Sequence, residues 1–112
     1  MKELPYKKIE RIIKYRILNG EYSPGQKLSS IRTIAKEVGY NPATVHHALS
    51  CLQQQKFIIS RTTVGYFITA DVEKIKELRI KEIEMLTNHL YHSLCALGYS
   101  GLEIYKLIQE EC

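Results

Sequence analysis

The stretch that decides the fold is YNPATVHHALSCL, residues 40–52. Asn41 can cap a helix N-terminus with its side-chain oxygen, and Pro42 suits the first helical position because its missing N–H leaves no donor unpaired. The stretch therefore predicts a helix that begins at Pro42. Its apolar residues recur at spacings of three and four along one face: Val45, Ala48, Leu49 and Leu52.

The opposite face of this helix is unusual for a surface exposed to solvent. It carries small residues, hydroxyl groups and two adjacent histidines, without Lys or Glu: Ala43, Thr44, His46, His47 and Ser50. Small residues and hydroxyl groups at a helix start let the backbone approach phosphates closely, and the first-turn N–H groups attract anions. We therefore interpret this face as a nucleic-acid contact surface, on which the histidines donate hydrogen bonds to base edges or phosphates.

Two further helical patterns precede this helix. Residues 5–18 carry an apolar stripe with Lys and Arg between its members, and the turn-forming sequence NGEYSPG at 19–25 ends it. The stretch LSSIRTIAKEVGY at 28–40 offers Ser30, or the serine before it, as an N-cap and Gly39 as the stop. The third helix follows the second through a short connection containing glycine, which predicts a helix-turn-helix.

The residues after the third helix predict a wing. FIIS at 57–60 and GYFIT at 65–69 are β-branched and aromatic runs separated by RTTV, which is typical of a hairpin with Gly65 near its turn. The predicted fold class is therefore mainly α with a small β-hairpin, a winged helix-turn-helix. That fold places its third helix in a major groove and its hairpin against the backbone or minor groove.

Composition and charge agree with a small DNA-binding protein. The 112 residues suffice for one domain, or for one small domain with an appendage, and the formal net charge is +4. Residues 1–71 hold 11 Lys and Arg against 5 Asp and Glu, a balance of +6, whereas residues 72–112 hold 5 against 7, a balance of −2. This asymmetry predicts a module that binds a polyanion, joined to a segment with another role.

Targeting and redox signals point to the cytoplasm. No apolar run reaches the ~18 residues of a membrane span, and the charged N-terminus does not look like a signal peptide. Cys51, Cys95 and Cys112 are widely separated, so they are interpreted as reduced thiols. We expect a soluble cytoplasmic protein with no membrane partner.

A longer stretch resembles a known family. Residues 22–69, YSPGQKLSSIRTIAKEVGYNPATVHHALSCLQQQKFIISRTTVGYFIT, resemble the GntR family of bacterial transcription regulators. The pattern of that family runs PG-x-KLPS-x-R-x-LA, then TV-x-x-A-x-x-L, then a wing ending in G-x-G-[TY]-F. The tail LYHSLCALGYSGLEIYKLIQEEC at 90–112 resembles the short two-helix C-terminal segment of the YtrA-like branch, which lacks a large effector-binding domain.

The resemblance implies DNA contacts at the start of the second helix, on the first turn of the third and at the wing tip. In this sequence these positions are Ser30, Arg32, Asn41, Ala43, Thr44, His46, His47, Arg61, Thr62, Thr63 and Gly65. The sequence departs from the family at three places. Ser29 replaces the usual proline, Lys56 replaces a common glycine, and Thr63 replaces the first glycine of the wing turn. The wing is therefore expected to sit differently from that of relatives. Many relatives carry arginine, the bidentate reader of guanine, where this chain has Pro42 or His46, so a different preferred DNA sequence is expected as well.

The rear segment predicts a pair of helices with unpartnered apolar faces. An apolar stripe runs from Val72 to Leu97, and Ser100 with Glu103 forms an S-x-x-E capping box that starts another helix. We interpret these faces as a homodimer interface, with packing back onto the chain's own domain as the alternative. The predicted dimerisation residues are Ile83, Leu86, Leu90, Leu94, Leu97, Ile104 and Ile108.

These patterns together predict a sequence-specific transcription regulator. Residues 1–70 are expected to form the DNA-binding domain, and residues 71–112 the dimerisation segment. A homodimer would bind a pseudo-palindromic operator in double-stranded DNA, with a repressor as the expected role. Neither a cofactor nor catalysis is expected, and the sequence names neither an operator nor a small-molecule effector.

Two alternatives stay open. His47 with Cys51, and His89 with His92 and Cys95, lie at helical spacings that could direct ligands toward zinc, although each set lacks a complete tetrahedral shell. They would suit a metal- or ligand-sensing switch. The other alternative is a nucleic-acid-binding module without sequence preference.

Overall fold

The computed structural model of the chain describes residues 3–111, which are mainly helical. In chain order the elements are α1 (Pro5–Leu18), α2 (Ile31–Val38), α3 (Pro42–Gln54), β1 (Ile58–Arg61), β2 (Gly65–Ile68), α4 (Val72–Ala96) and α5 (Gly101–Glu111). The hairpin directly follows the third helix, so the predicted winged helix-turn-helix is confirmed. Within the described residues, no helix combines the length and apolar character needed to cross a bilayer.

The ends of the short helices follow from local side chains. Ser30 Oγ accepts a hydrogen bond from the Thr33 N–H at 3.2 Å, and Asn41 Oδ1 accepts one from the Thr44 N–H at 3.0 Å. Each cap satisfies one of the backbone donors that a helix start leaves unpaired. α2 ends at Val38 and is capped by Gly39, whose φ of 77° lies in the left-handed region that glycine adopts without strain.

The core is built by α1 and α2 packing against α3. The four apolar positions predicted for α3 are all fully buried, and they pack with Ile9, Ile13 and Ile17 of α1 and with Ile34 and Ala35 of α2. Burying one such Leu or Ile side chain stabilises a fold by about 1.5–3 kcal/mol. Since the inner face of α3 is held this firmly, its outer face is fixed in direction.

The wing has more hydrogen bonds than a hairpin alone. β1 and β2 pair antiparallel, and the segment before α2 pairs with the other edge of β2. Leu28 N–H donates to Tyr66 O at 2.9 Å, and Ile68 N–H donates to Gln26 O at 2.8 Å. β2 therefore has backbone partners on both sides, and the start of α2 lies beside the wing.

Packing divides the chain into two units, one ending at Leu78 and the other beginning at Arg79. Ile75 and Leu78, only 5% and 7% exposed, belong to the core of the first unit. For these two residues of the rear stripe, the alternative interpretation, that the stripe packs back onto the chain's own domain, is therefore correct. The boundary expected from the sequence, after residue 70, falls just beyond the hairpin. That residues 1–70 bind DNA and residues 71–112 dimerise stays a prediction.

The second unit contains most of α4 and all of α5. The Glu103 N–H donates to Ser100 Oγ at 3.3 Å, and the Ser100 N–H donates to Glu103 Oε1 at 3.2 Å. These reciprocal bonds are the capping box expected from the sequence.

Two residues that lack glycine's freedom adopt left-handed backbone conformations. Lys56 has φ of 73° and Thr63 has φ of 67°. Both stand where the resemblance to the GntR family expects glycine. Left-handed conformations strain residues with a Cβ, and β-branched Thr63 is the more strained of the two.

We expect Thr63→Gly to stabilise the chain. Relief of strain of about 1–3 kcal/mol, offset by the greater entropy loss of glycine on folding, leaves a gain of about 1 kcal/mol. The measurement is the urea midpoint at unchanged m-value. Thr62→Gly is the matched control, since Thr62 has no positive φ, and it should lower the midpoint. A lower midpoint for Thr63→Gly would contradict the strain.

Candidate nucleic-acid interface

The start of α2 holds the first predicted contact pair, Ser30 and Arg32. The N–H groups of Ile31 and Arg32 have no acceptor within the described part of the chain, and the Arg32 side chain is exposed. Ser30 Oγ is already used in the cap and lies 2.9 Å from Thr33 Oγ1. Two free N–H donors, the positive end of the helix dipole and a guanidinium suit a phosphate oxygen.

The start of α2 and the wing tip line one groove of about 370 Å³. Ser30 and Arg32 stand on one side, Val64 and Gly65 on the other, and Lys27 also lines it. The hydrogen bonds between residues 26–28 and β2 bring these segments together. The described lining contains two cations and no carboxylate, so the groove suits an anion.

At the start of α3 the polar side chains hydrogen-bond to neighbouring groups of the same helix start. The Thr44 hydroxyl donates to Asn41 Oδ1 at 3.1 Å, in addition to the backbone cap. In the unbound chain Thr44 Oγ1 can therefore only accept a further hydrogen bond. Because Pro42 has no N–H, the Ala43 N–H is the first-turn donor that lacks an acceptor among the described residues. This helix start offers a phosphate fewer donors than α2 does.

The outer face of α3 carries the two histidines in different surroundings. His47 stacks on Tyr6 of α1, with ring centroids 3.9 Å apart and an interplanar angle of 17°. These rings, with Asn41 and Thr44, line a second groove of about 310 Å³. The ring of His46 makes no aromatic contact within residues 3–111. Both histidines stay exposed.

The wing positions divide between strand and turn. Arg61 ends β1, and its guanidinium carbon lies 4.8 Å from the centroid of the Phe67 ring. Thr62, Thr63 and Val64 are exposed and form the turn. Arg61 therefore lies along the hairpin in a cation–π contact, and the tip presents hydroxyl groups and one aliphatic side chain.

An exposed carboxylate near α1 is neutralised locally. Arg11 donates two hydrogen bonds to Glu3, at 2.9 and 3.0 Å. The hydrogen bonds to Arg11, with smaller effects of its charge and that of Lys8, hold the pKa of Glu3 below its ordinary value. The negative charge of Glu3 is thus paired on the side of the chain where α1 begins.

The proposed metal ligands do not converge in the described structure. Within residues 3–111, no three His, Cys, Asp or Glu side chains are arranged to hold a metal ion. The imidazole of His47 stacks on Tyr6. Cys51 is half-buried and Cys95 exposed, both as free thiols, and Cys112 lies outside the described residues.

The predicted dimerisation residues of the second unit differ in their exposure to solvent. Five of them are exposed large apolar side chains: Ile83, Leu86, Leu90, Leu97 and Ile108. Leu94 is half-buried, and Ile104 is only 4% exposed in the single chain. Ile104 therefore offers a partner little surface. Further exposed apolar residues of this unit are Ile80, Met85, Tyr91, Tyr99, Leu102 and Tyr105.

Sequence reasoning did not assign two notable residues to these surfaces. Lys27 lines the first groove, and Tyr6 lines the second. The alternating sequence before α2 is too short to predict a strand, so the contact of Lys27 with the wing had no clear signal. Tyr6 could have been found, because it extends the buried stripe of α1 by one turn.

Comparison with known proteins agrees with this geometry. The family model described as bacterial regulatory proteins, gntR family, matches residues 5–68. The uncharacterised HTH-type transcriptional regulator YhcF of Bacillus subtilis is 33% identical, over 93% of this chain and 86% of its own length. The HTH-type transcriptional repressor YtrA of the same organism is 29% identical, over 91% of this chain and 77% of its own.

A solved structure extends the likeness to the whole fold. The GntR family transcriptional regulator from Listeria monocytogenes superposes with a TM-score of 0.91 at 27% identity, covering 97% of this chain and 96% of its own. Its match includes the two C-terminal helices as well as the winged domain. The chain belongs to the GntR family of bacterial regulatory proteins, which are DNA-binding transcription regulators.

Proposed function

We propose that this chain is a sequence-specific repressor that binds an inverted-repeat operator as a homodimer. The observation that carries the DNA-binding part is the first groove, where the start of α2 and the wing tip meet around two cations. The relative YtrA is named a transcriptional repressor, which supports repression as the role of this chain. Such a regulator would act in the cytoplasm, where the bacterial chromosome lies.

The contacts fall into two classes in this proposal. The phosphates are held by residues at the start of α2 and in the wing: Ser30, Arg32, Arg61, Thr62, Thr63 and Gly65. These contacts fix register without reading sequence. The outer face of α3 enters the major groove, where Ala43 allows close approach and the histidines meet base edges. Asn41 and Thr44 shape the helix start, and Thr44 Oγ1 accepts a hydrogen bond.

The proposed dimer rests on the apolar stripe of α4. Ile83, Leu86 and Leu90 of α4, with Leu97 directly after it, recur at helical spacing and are exposed in the single chain. Residues 72–112 carry a balance of −2, so DNA is a poor candidate to cover them. A second copy presents the same stripe and can pair with it about a two-fold axis, which also gives two α3 helices for two half-sites.

Selection of bound sequences from a random DNA pool tests the proposal. The recovered DNA should contain an inverted repeat with half-sites centred ~10 base pairs apart, or a near multiple. Recovery of no common sequence would favour a module without sequence preference. Metal analysis of untagged protein, purified without chelator, tests the metal-sensing alternative.

Arg32→Ala should weaken binding to every DNA sequence alike. Loss of one phosphate contact should flatten the log–log salt dependence by ~0.9, because one fewer counterion is released. Titrations of operator and random DNA at several salt concentrations measure both slopes. Lys36→Ala is the matched control, since Lys36 is exposed on the last turn of the same helix. A loss confined to the operator would remove Arg32 from the phosphate role.

A further inference from the structure

The two histidines of α3 are prepared differently for binding. One face of the His47 imidazole is covered by the Tyr6 ring, whereas the ring of His46 has no such neighbour within the described chain. Helix geometry of ~100° per residue puts the two on opposite flanks of the outer face, with Ala43 and Ser50 between them. The flank of His47 is the one that meets α1.

Tyr6 is itself firmly placed. It follows Pro5 at the first helical position of α1, and it is half-buried against the hydrophobic core. It precedes the buried Ile9 and Ile13 by three and seven residues, so it lies on the face of α1 that packs against α3. The ring on which His47 stacks is therefore part of the fold.

We infer that Tyr6 is a positioning residue, which holds the imidazole of His47 for reading a base edge. This inference rests on the proposed function. A parallel stack covers a face of the imidazole and leaves its edge, which carries both ring nitrogens, available for hydrogen bonds. Since His47 is exposed despite the stack, that edge can meet DNA.

The stack on Tyr6 also makes His47 more ordered than His46 before DNA binds. A free side chain must be ordered when it binds, which weakens affinity by about two- to tenfold per immobilised side chain. His47 is ordered before DNA arrives, so its hydrogen bond discriminates between bases in one geometry. His46 remains adaptable and does not depend on Tyr6.

The test is a double-mutant cycle on the sequence selected by the intact chain and on random DNA. Tyr6→Leu keeps an apolar side chain but removes the flat ring, and it should lower operator affinity about three- to tenfold with little change on random DNA. In the His47→Ala background, Tyr6→Leu should have no further effect. In the matched His46→Ala background its full effect should remain.

Two readouts separate positioning from mere support of the fold. Tyr6→Phe preserves the ring and should restore operator affinity to within about twofold, because stacking does not need the hydroxyl group. In NMR spectra without DNA, the His47 ring protons should be shifted upfield relative to those of His46, and Tyr6→Leu should abolish that shift.

Three results would overturn the inference. These are additive losses for Tyr6→Leu and His47→Ala, failure of Tyr6→Phe to restore affinity, and unshifted His47 ring protons. Failure of the proposed function looks different, because the intact chain would then show no preference for any selected DNA over random DNA.

Discussion

Leu90→Glu is expected to convert the chain to a monomer and to weaken binding to the full inverted repeat by about 10²- to 10⁴-fold. Leu90 is 45% exposed in the single chain, near the middle of the apolar stripe of α4. In a two-fold interface each copy would bury a carboxylate without a partner, and such burial costs several kcal/mol. Loss of the second half-site removes the gain from joining two binding events.

Sedimentation and gel-shift titration measure this effect together. Affinity for a single half-site should remain nearly unchanged, because Leu90 lies in the second unit. Asn88→Glu is the matched control. It adds the same charge on the polar side of the helix, well away from the stripe, and should leave the dimer intact. A Leu90→Glu chain that stays dimeric and binds the repeat normally would exclude this face as the interface.

A fragment of residues 1–71 is expected to be far less stable than one of residues 1–79. The longer fragment keeps Ile75 and Leu78, which are buried in the core of the first unit. Each contributes about 1.5–3 kcal/mol by burial, so their joint loss removes about 3–6 kcal/mol. Since small domains are stable by only about 5–15 kcal/mol, the shorter fragment should be marginal or unfolded.

Urea denaturation of both fragments measures the difference. In the full chain, Leu78→Ala should lower the unfolding free energy by about 2–5 kcal/mol. Ile80→Ala, two residues further at an exposed position, should change it by less than about 0.5 kcal/mol. Equal stability of the two fragments would mean that the start of α4 does not belong to the core. The 1–79 fragment is also the one suited to half-site binding.

The local elements of the fold were predictable because their signals are local. Asn41 and Pro42 mark the start of α3, Gly39 marks the end of α2, and the spacing from Val45 to Leu52 identifies the buried face. Each signal acts within one or two turns of helix, where the sequence contains the whole interaction.

The helical spacing of the apolar residues in the rear segment did not predict which surface covers them. Ile75 and Leu90 belong to one continuous apolar pattern, yet the first is buried in the winged unit and the second is exposed. Periodicity reports that a face is apolar, and it carries no information about its partner. Ile104, predicted for the interface, is likewise buried within the single chain.

The candidate site was predictable residue by residue but not in its contacts. The resemblance supplied Arg32 and the wing positions, whereas the groove that joins them depends on the pairing of Lys27 and its neighbours with β2. The stack of Tyr6 on His47 joins residues from two helices. Such contacts follow from packing between elements, for which a single sequence gives no direct signal.

The backbone pairing between residues 26–28 and β2 joins two segments that are distant in the chain. The bonded segments are separated by roughly 40 residues, so their hydrogen bonds can form only after the entropy of a long loop has been lost. α2, α3 and β1 all lie within that loop, and their docking shortens the distance to be closed. We therefore expect this pairing, unlike the local β1–β2 hairpin, to form late in the folding of the first unit. In the proposed complex, DNA bound across the groove would hold this contact closed, so binding would protect the pairing against local opening.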